Sequence, residues 1–365
     1  LRRQRQMCIR DSDTTIRPPC GVAEDAPLLT ISGLTAGYGN KNLHGMPAIR
    51  VLEDIDLTVR RGQAIGVIGE SGSGKSTLAR VVAGLLTPAL GGLTFDGQPL
   101  GASLSARTPE QFRRIQMVFQ NADTALNPMH SVATILSRPL KMYFGLKGAA
   151  LQARIGELLD LVRLPRDLAE RRPNELSGGQ KQRVNLARAL AAKPDLILCD
   201  EVTSALDTVV GAAILELLRD LRQQLGVSYL FISHDISTVR ALCDDIVVMY
   251  SGHKVQAGSR QSFAEAPFHP YTDLLIHSVP ELRQGWLENC GTTCSELPPI
   301  GARANVPELC TFLNRCPVRI DGLCNRTAPN RRHLDNGSEI LCHHDSAHLL
   351  NTQQGVTTMT LGAYA

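Results

Sequence analysis

The chain has 365 residues, which corresponds to about two domains at roughly 150 residues each. Hydrophobic residues make up 43% and charged residues 20%, an ordinary globular composition that excludes a wholly disordered chain. The net charge of +3 gives no indication of a nucleic-acid partner. The sequence lacks a run of about 18 apolar residues, so we expect no membrane-spanning helix and expect any role at a membrane to depend on partner proteins.

Composition divides the chain into four parts. Residues 1–26 are basic and polar without an apolar stretch, and we expect a disordered or non-native leader there. Residues 27–280 have the pattern of a folded domain, and residues 281–350 form a Cys-rich C-terminal domain with many prolines. Residues 351–365 are rich in Gln, Thr and Gly and are expected to form a loose tail.

The elements of the folded domain begin with three predicted strands, at Leu28–Leu34, Arg50–Val59 and Gln63–Ile68. A glycine-rich loop and a helix follow, and residues 123–180 are mainly helical in pattern. Three helix–strand alternations then end at the predicted strands 196–199, 228–232 and 246–250. This alternation predicts an α/β fold with a mostly parallel core sheet.

The glycine-rich loop follows the third predicted strand and fits the pattern of Gly, four residues, then Gly-Lys-Ser. Its glycines let backbone N–H groups surround phosphates at the start of a helix. Lys75 would reach the β- and γ-phosphates, and the Ser76 hydroxyl would bind Mg²⁺. A glycine turn with a chance lysine is the alternative, but the strand–loop–helix context favours phosphate binding. The predicted binding residues are Gly69, Glu70, Ser71, Gly72, Ser73, Gly74, Lys75, Ser76 and Thr77.

Two carboxylates follow the apolar run Leu196–Cys199. A buried strand would carry Asp200 to its carboxyl end beside the phosphate loop, where Asp200 could hold Mg²⁺. Glu201 would then orient or deprotonate the attacking water. Seen alone, such a pair is more often a solvated strand end, but its place after a phosphate loop favours catalysis.

The sequence Leu176-Ser177-Gly178-Gly179-Gln180 resembles the signature of ABC-type ATPases. Other family elements follow the same order: Tyr38 resembles the aromatic residue that stacks on adenine, and Gln120 resembles the Q-loop glutamine. Asp207 closes a segment similar to the D-loop, and His234 resembles the switch histidine. The resemblance implies an antiparallel β subdomain and a helical subdomain at about 121–180 beside the core sheet.

The resemblance also implies the cofactors and the reaction. ATP and Mg²⁺ would lie between the phosphate loop of one chain and the signature of a second ABC subunit, identical or paralogous, packed head to tail. ATP binding would close this dimer and hydrolysis would reopen it. Gln120 would link the Mg²⁺ chemistry to a transmembrane partner.

The branch of the family is indicated by segments outside the core motifs. Asn127-Pro128-Met129, His269-Pro270-Tyr271-Thr272 and a Cys-rich tail resemble the ATPases of bacterial oligopeptide and dipeptide importers, a branch shared with nickel and opine importers. This implies two multi-span permeases, an extracytoplasmic solute-binding protein and a place on the cytoplasmic face of the inner membrane. Val202 stands where the family usually has proline, and the close pair Cys290 and Cys294 has no assignment.

Three other functions remain as alternatives. A soluble ABC-type ATPase of translation or DNA repair would need tandem domains or a long coiled-coil insertion, and an export ATPase is usually fused to membrane helices. A metalloregulator would need a recognition helix or a basic surface. The chain shows none of these features in its sequence.

The last prediction from the C-terminal region is a metal centre at Cys310, Cys316, Cys324 and Cys342. Four thiolates can hold Zn²⁺ or a 4Fe–4S cluster. Their irregular spacing differs from the close pairs of a zinc ribbon, and the importer branch carries the same spacing, which favours the cluster. Reduced, packed thiols or cysteines oxidised in air are the alternatives.

A permease contact is predicted for the segment from Thr124 to Leu176, which lies between Gln120 and the signature. Its apolar residues exceed what a free helical surface should show. Burial within the helical subdomain is the alternative. These residues are Leu136, Leu140, Met142, Tyr143 and Phe144.

Overall fold

A computed structural model describes residues 26–204, 206–278 and 309–353. The described part contains one four-stranded and one eight-stranded sheet. The strands are β1 (Pro27–Lys41), β2 (Pro47–Arg60), β3 (Ala64–Ile68), β4 (Leu90–Phe95), β5 (Gln98–Pro99), β6 (Ile115–Val118), β7 (Leu196–Asp200), β8 (Ser228–Ile232), β9 (Asp245–Tyr250), β10 (His253–Ser259), β11 (Arg331–His333) and β12 (Glu339–Leu341).

The described α-helices cover both faces of the larger sheet or form a separate helical layer. They are α1 (Lys75–Val82), α2 (Pro109–Arg114), α3 (Ala122–Ala125), α4 (Val132–Phe144), α5 (Gly148–Leu161), α6 (Gly178–Leu190), α7 (Thr208–Leu225), α8 (Ile236–Leu242), α9 (Pro270–His277) and α10 (Ser346–Gln353). None of these helices is both long and apolar enough to cross a membrane.

The larger sheet has the order β11-β12-β10-β9-β3-β8-β7-β6. Strands β9, β3, β8, β7 and β6 run parallel, whereas β10, β12 and β11 add antiparallel to the β9 edge. The smaller sheet, β2-β1-β4-β5, is antiparallel throughout. The predicted α/β fold with a mostly parallel core and an antiparallel β subdomain is therefore confirmed.

Alternating side chains of the parallel strands enter two different hydrophobic clusters. Ile65 and Val67 of β3 face the antiparallel sheet, whereas Ala64 and Ile68 face the helices. Strands β3, β7 and β8, inside the parallel part of the sheet, are buried along their whole length, as expected for a sheet covered on both sides. The carboxyl ends of these strands are consequently held between the helices on one face and the antiparallel sheet on the other.

The packing of the helical layer, α3 to α6, shows which of its apolar residues are buried and which could contact a permease. Leu136 and Leu140 are buried in the core cluster, so their prediction as permease contacts is wrong and the alternative holds for them. Both lie on the inner face of α4 because residues four apart share one side of a helix. Met142 and Phe144 are exposed.

The C-terminal region joins the larger sheet directly. Strand β12 pairs with β10, and Arg331 Nη1 forms an ion pair of 3.0 Å with Glu339 on the neighbouring strand. Residues 351–353 of the expected loose tail belong to α10, which ends at Gln353, and the rest of that segment lies outside the described residues. The Gln353 side chain is buried and bonds both the N–H and the C=O of Phe268 at 2.9 Å.

Candidate active site

Four neighbouring parallel strands end at one edge of the larger sheet. Each has a predicted site residue at its last position or shortly after it. The phosphate loop follows β3 and Gln120 follows β6. Asp200 ends β7, and His234 lies two residues beyond β8. Ligands of open α/β sheets bind outside such carboxyl ends. The fold thus brings together residues that are up to 165 positions apart in the chain (69 and 234).

The phosphate loop requires glycine near its beginning, at Gly69, and near its end, at Gly74. Gly69 has φ +149°, and a Cβ there would lie 2.1 Å from the carbonyl oxygen of Met249. Gly74 has φ +105°, and a Cβ there would lie 2.7 Å from Leu52 Cδ2. The loop is therefore seated between β9 and β2 at a distance that no side chain would allow.

Lys75 is buried, and its ammonium group bonds to the loop itself. Lys75 Nζ donates to the carbonyl oxygens of Gly69 at 2.7 Å and Glu70 at 2.9 Å. Burial lowers the pKa of Lys75, and the nearby carboxylates of Glu201, Asp200 and Glu70 oppose this shift. Both hydrogen bonds go to neutral backbone oxygens, so the charge of Lys75 has no directly bonded carboxylate among these partners.

Ser76 and Asp200 form the contact expected of a Mg²⁺ site. Ser76 Oγ donates a hydrogen bond of 2.9 Å to Asp200 Oδ1. Burial raises the pKa of Asp200, and the Ser76 hydrogen bond and the charges of Arg80 and Lys75 oppose the shift. A hydroxyl and a carboxylate oxygen are hard ligands of the kind that Mg²⁺ takes beside phosphates, so the residues present fit this ion.

Glu201 is contacted from two sides. Gln120 Nε2 donates to Glu201 Oε2 at 2.7 Å and to Ser204 Oγ at 3.2 Å, and His234 Nδ1 lies 3.8 Å from Glu201 Oε2. Glu201 also has φ +48°, a conformation that a non-glycine residue adopts at a cost and that concentrates at functional sites. The structure therefore places two of the predicted catalytic residues, Gln120 and His234, around the carboxylate of a third, Glu201.

Tyr38 lies at the rim of the phosphate loop. Its hydroxyl is 3.3 Å from Thr77 Oγ1 and accepts a hydrogen bond of 3.1 Å from Arg80 Nη1. The Tyr38 side chain remains partly exposed. Its position beside α1 is open to a flat ligand on the solvent side.

The signature and the D-loop residue start two helices that touch each other. Ser177 is the N-cap of α6 and forms a reciprocal pair with Gln180, with bonds of 3.3 and 3.0 Å. Asp207 caps α7 by accepting the Val210 N–H at 3.0 Å. A Cβ on Gly179 would lie 2.5 Å from Val210 Cγ1, so this glycine permits the approach of the two helix starts.

Sequence reasoning missed two residues that contact the phosphate loop from the C-terminal region. The Glu70 carboxylate pairs with Arg315, and the Glu70 backbone N–H donates to the Tyr271 hydroxyl. Tyr271 lies in the segment His269-Pro270-Tyr271-Thr272, which the resemblance marked without a role. Arg315 had no signal except its position next to Cys316.

The four C-terminal cysteines are free thiols that influence one another electrostatically. Burial raises the pKa of Cys310 to about 11, that of Cys316 to about 12, and that of Cys342, with smaller contributions from neighbouring cysteines. Cys324 Sγ accepts the Ile320 N–H at 3.4 Å. In the described ranges, no three His, Cys, Asp or Glu side chains are arranged to hold a metal ion. Cys290 and Cys294 lie outside the described residues.

Two family descriptions match the chain. The family described as ABC transporter matches residues 52–204, and the one described as oligopeptide/dipeptide transporter, C-terminal region, matches residues 255–324. Among solved structures, cbiO1 from Clostridium perfringens, part of the ABC transporter complex cbiONQ, is 26% identical with a TM-score of 0.57. The match covers 64% of this chain and 89% of that chain.

A second solved structure is the dimeric post-hydrolysis state of an ATP-binding cassette bound to ADP and Pi. It is 29% identical with a TM-score of 0.55, and the match covers 64% of this chain and 98% of that chain. Fold and site geometry together define an ABC-type ATPase.

Curated relatives define the branch. A protein of Brucella abortus is 40% identical over 306 residues, which are 84% of this chain and 90% of the relative. A protein of Brucella ovis is 37% identical over 324 residues, which are 88% of this chain and 99% of the relative. Both are named as peptide import ATP-binding proteins. The chain belongs to the ABC transporter family, as an ATP-hydrolysing member of its oligopeptide/dipeptide branch, and the resemblance is confirmed.

Proposed function

We propose that this chain hydrolyses ATP to power the import of peptides or related small solutes. The observation that carries the proposal is the joint placement of the Ser76–Asp200 and Gln120–Glu201–His234 contacts at one sheet edge. The names of the Brucella relatives supply the class of solute. A soluble ABC-type ATPase would share the site, but it would not explain the match of the C-terminal region.

The phosphate loop would hold the nucleotide. Backbone N–H groups of residues 69–77 would donate to phosphate oxygens, and Lys75 would exchange its two carbonyl partners for the β- and γ-phosphates. Tyr38 would lie against the adenine ring. Ser76, Asp200 and Gln120 would hold Mg²⁺, which would neutralise phosphate charge.

Glu201 would act as the general base. Its carboxylate would orient a water molecule toward the γ-phosphate and accept the proton that the water loses. Gln120 holds one oxygen of this carboxylate, and His234 approaches the same oxygen from β8. The left-handed backbone of Glu201 would keep the carboxylate directed at this place.

The second half of the site would come from another ABC subunit, identical or paralogous. The N-terminus of α6 presents Ser177, Gly178 and Gly179 as a further anion site, because helix N-termini attract phosphates. Asp207 would line the same interface from the start of α7. Closure around two nucleotides and reopening after hydrolysis would move the attached permeases.

The permeases would dock on the helical layer, next to Gln120. Met129 and Met142 each have 72% of their surface exposed, and flexible, polarizable methionines suit a protein contact. Cysteine pairs test this surface: Met142→Cys should crosslink to a permease loop, whereas Leu104→Cys, also exposed, should not. Equal crosslinking at both positions would contradict the proposal.

The cellular setting follows from these partners. Two multi-span permeases would hold the chain at the cytoplasmic face of the inner membrane, and an extracytoplasmic solute-binding protein would deliver the substrate to them. The division into residues 27–280 and 281–350 remains part of this proposal, with the qualification that β11 and β12 extend the larger sheet.

The test is reconstitution with the two permeases and the binding protein in lipid vesicles. ATP hydrolysis should rise when the binding protein and a peptide are added, and labelled peptide should enter the lumen. The Glu201→Gln variant should assemble equally but transport nothing. ATP hydrolysis that is indifferent to permeases, with no membrane association, would contradict the import proposal.

A metal centre at Cys310, Cys316, Cys324 and Cys342 is a finer proposal. Its support is the chemistry of the donor set, because the four thiols are free and backbone N–H groups donate to their sulfurs. The four side chains are not gathered as ligands in the described structure, so metal binding would have to draw them together. Such hydrogen bonds tune thiolate-ligated iron. Bound metal would order this segment, which has little apolar content of its own.

Anaerobic purification followed by iron, sulfide and zinc analysis tests the centre. Iron and sulfide with broad visible absorption would support a 4Fe–4S cluster. Stoichiometric zinc without iron would replace it by a zinc site. Metal-free protein with four titratable thiols would refute both.

A further inference from the structure

Glu70, the second residue of the phosphate loop, is held by side chains from the far end of the chain. Arg315 donates from Nη1 to Glu70 Oε2 at 2.8 Å and from Nη2 to Glu70 Oε1 at 2.9 Å. The Tyr271 hydroxyl accepts the Glu70 backbone N–H at 2.7 Å. Both the side chain and the backbone of this loop residue are therefore fixed from the C-terminal region.

Arg315 is itself fixed by an aromatic cluster. Phe312, just before a short 3₁₀ turn at Leu313–Arg315, is buried against Tyr250 and Tyr271, with ring centroids 5.2 and 5.5 Å apart. The Arg315 guanidinium lies 5.8 Å from the Tyr250 ring centroid and 5.9 Å from that of Phe312. The Arg315 side chain is 12% exposed and that of Glu70 is 30% exposed, so the two-point pair is partly shielded from water.

The position of this pair gives it a consequence for nucleotide binding. Glu70 is near enough to Lys75 for their charges to interact, so its carboxylate acts on the region that receives the phosphates. A bare carboxylate there would repel ATP. Arg315 compensates that charge and, because its planar fork matches both carboxylate oxygens, also fixes the direction of the side chain.

We infer that Arg315 is a positioning residue of the ATP site, which makes nucleotide affinity depend on the order of the Cys-rich C-terminal segment. Arg315 directly precedes Cys316, and Cys310 lies two residues before Phe312. Any rearrangement of this segment that withdraws Arg315 frees the Glu70 carboxylate beside Lys75. The inference concerns ATP alone and does not depend on the solute transported.

The first experiment measures MgATP affinity of the full-length chain with a fluorescent nucleotide. Arg315→Gln should weaken binding by about tenfold, within the range for contacting charged groups. In steady-state hydrolysis the loss should appear in KM rather than in kcat. Arg315→Lys keeps the charge without the fork and should recover part of the affinity.

A double-mutant cycle separates charge compensation from a general structural effect. Glu70→Gln combined with Arg315→Gln should restore most of the lost affinity, because the uncompensated carboxylate is gone. Arg319→Gln is the matched control: Arg319 lies four residues further on, is half exposed, and pairs with Asp321 at 3.2 Å. This control should bind MgATP like the wild type.

Two outcomes would overturn the inference. One is wild-type affinity in a folded Arg315→Gln chain, as judged by its circular dichroism spectrum. The other is a Glu70→Gln/Arg315→Gln chain that binds as weakly as Arg315→Gln alone. If Arg315→Gln fails to fold, the MgATP affinities of the Arg315→Lys chain and of the double variant are compared with that of the wild type instead.

Discussion

Gln120 donates a 2.7 Å hydrogen bond from Nε2 to Glu201 Oε2, which joins the ends of β6 and β7 at the catalytic edge. Gln120 lies two residues before α3 and the rest of the helical layer, whereas Glu201 directly follows the buried carboxylate Asp200. A change at the γ-phosphate that moves Glu201 will therefore pull on the segment that leads to the helical layer. This bond therefore links the proposed chemistry to the proposed permease surface.

Replacement of Lys75 by alanine should abolish ATP hydrolysis. Lys75 is the buried cation of the loop, and its loss removes the charge that would face the β- and γ-phosphates. Hydrolysis is measured in the assembled transporter, beside a binding assay on the chain alone. Activity within a factor of two of the wild type would contradict the placement of the nucleotide.

His234→Ala should slow hydrolysis while nucleotide affinity is nearly retained. The His234 ring is mostly exposed and contacts Glu201 rather than the phosphate loop, so its removal disturbs the base and leaves the binding loop intact. Single-turnover hydrolysis and nucleotide titration of the same preparation separate the two effects. A parallel loss of affinity and rate would show that His234 acts in binding.

His269 should make the folded chain sensitive to acid. Its buried ring accepts the Tyr271 N–H at Nδ1, and burial lowers its pKa from 6.5 to about 3, opposed by a hydrogen bond to the backbone of Leu341. The folded chain thus keeps this histidine neutral, whereas the unfolded chain protonates it below pH 6.5. Stability is fully present above that value and falls as the pH drops, by about 1 kcal/mol between pH 6.5 and 5.5 for one proton.

Urea unfolding of the nucleotide-free chain at pH 7.5, 6.5 and 5.5 measures this effect. His269→Asn is the comparison, because an Asn side chain can still cap α9 but does not titrate. The wild type should lose about 1 kcal/mol more than the variant over the lower pH step. Parallel pH dependence of the two proteins would show that His269 is not the group responsible.

Patterns among residues close together in the sequence made most of the fold predictable. Strands such as β3 and β8 are fully buried and appear in the sequence as continuous apolar runs, and the phosphate loop has glycines because Met249 O and Leu52 crowd it. The positions of Asp200, the proposed Mg²⁺ ligand, and Glu201, the proposed base, were predictable for the same reason, since they close such a run.

Contacts between distant segments were not predictable. The pairing of β12 with β10 and the Arg315–Glu70 pair join residues 82 and 245 positions apart, and no short-range pattern encodes them. The helical layer shows the same limit in another form. Leu136 and Met142 both belong to α4, yet one is buried and the other exposed, which only the packing of α4 on its neighbours decides.

In the proposed mechanism, Glu201 is the base of an ATP site that a second subunit completes. The most direct test is the Glu201→Gln chain in Mg²⁺ and ATP, with its wild-type partner subunit present if the dimer is mixed. Loss of the general base should lower hydrolysis by roughly 10²–10⁴-fold without preventing binding.

Size-exclusion chromatography and the amount of retained ATP are measured on that Glu201→Gln sample. We expect a stable dimer that holds unhydrolysed ATP and separates when Mg²⁺ is chelated. A monomer that turns over ATP at the wild-type rate would contradict the account, because another group would then have to activate the water.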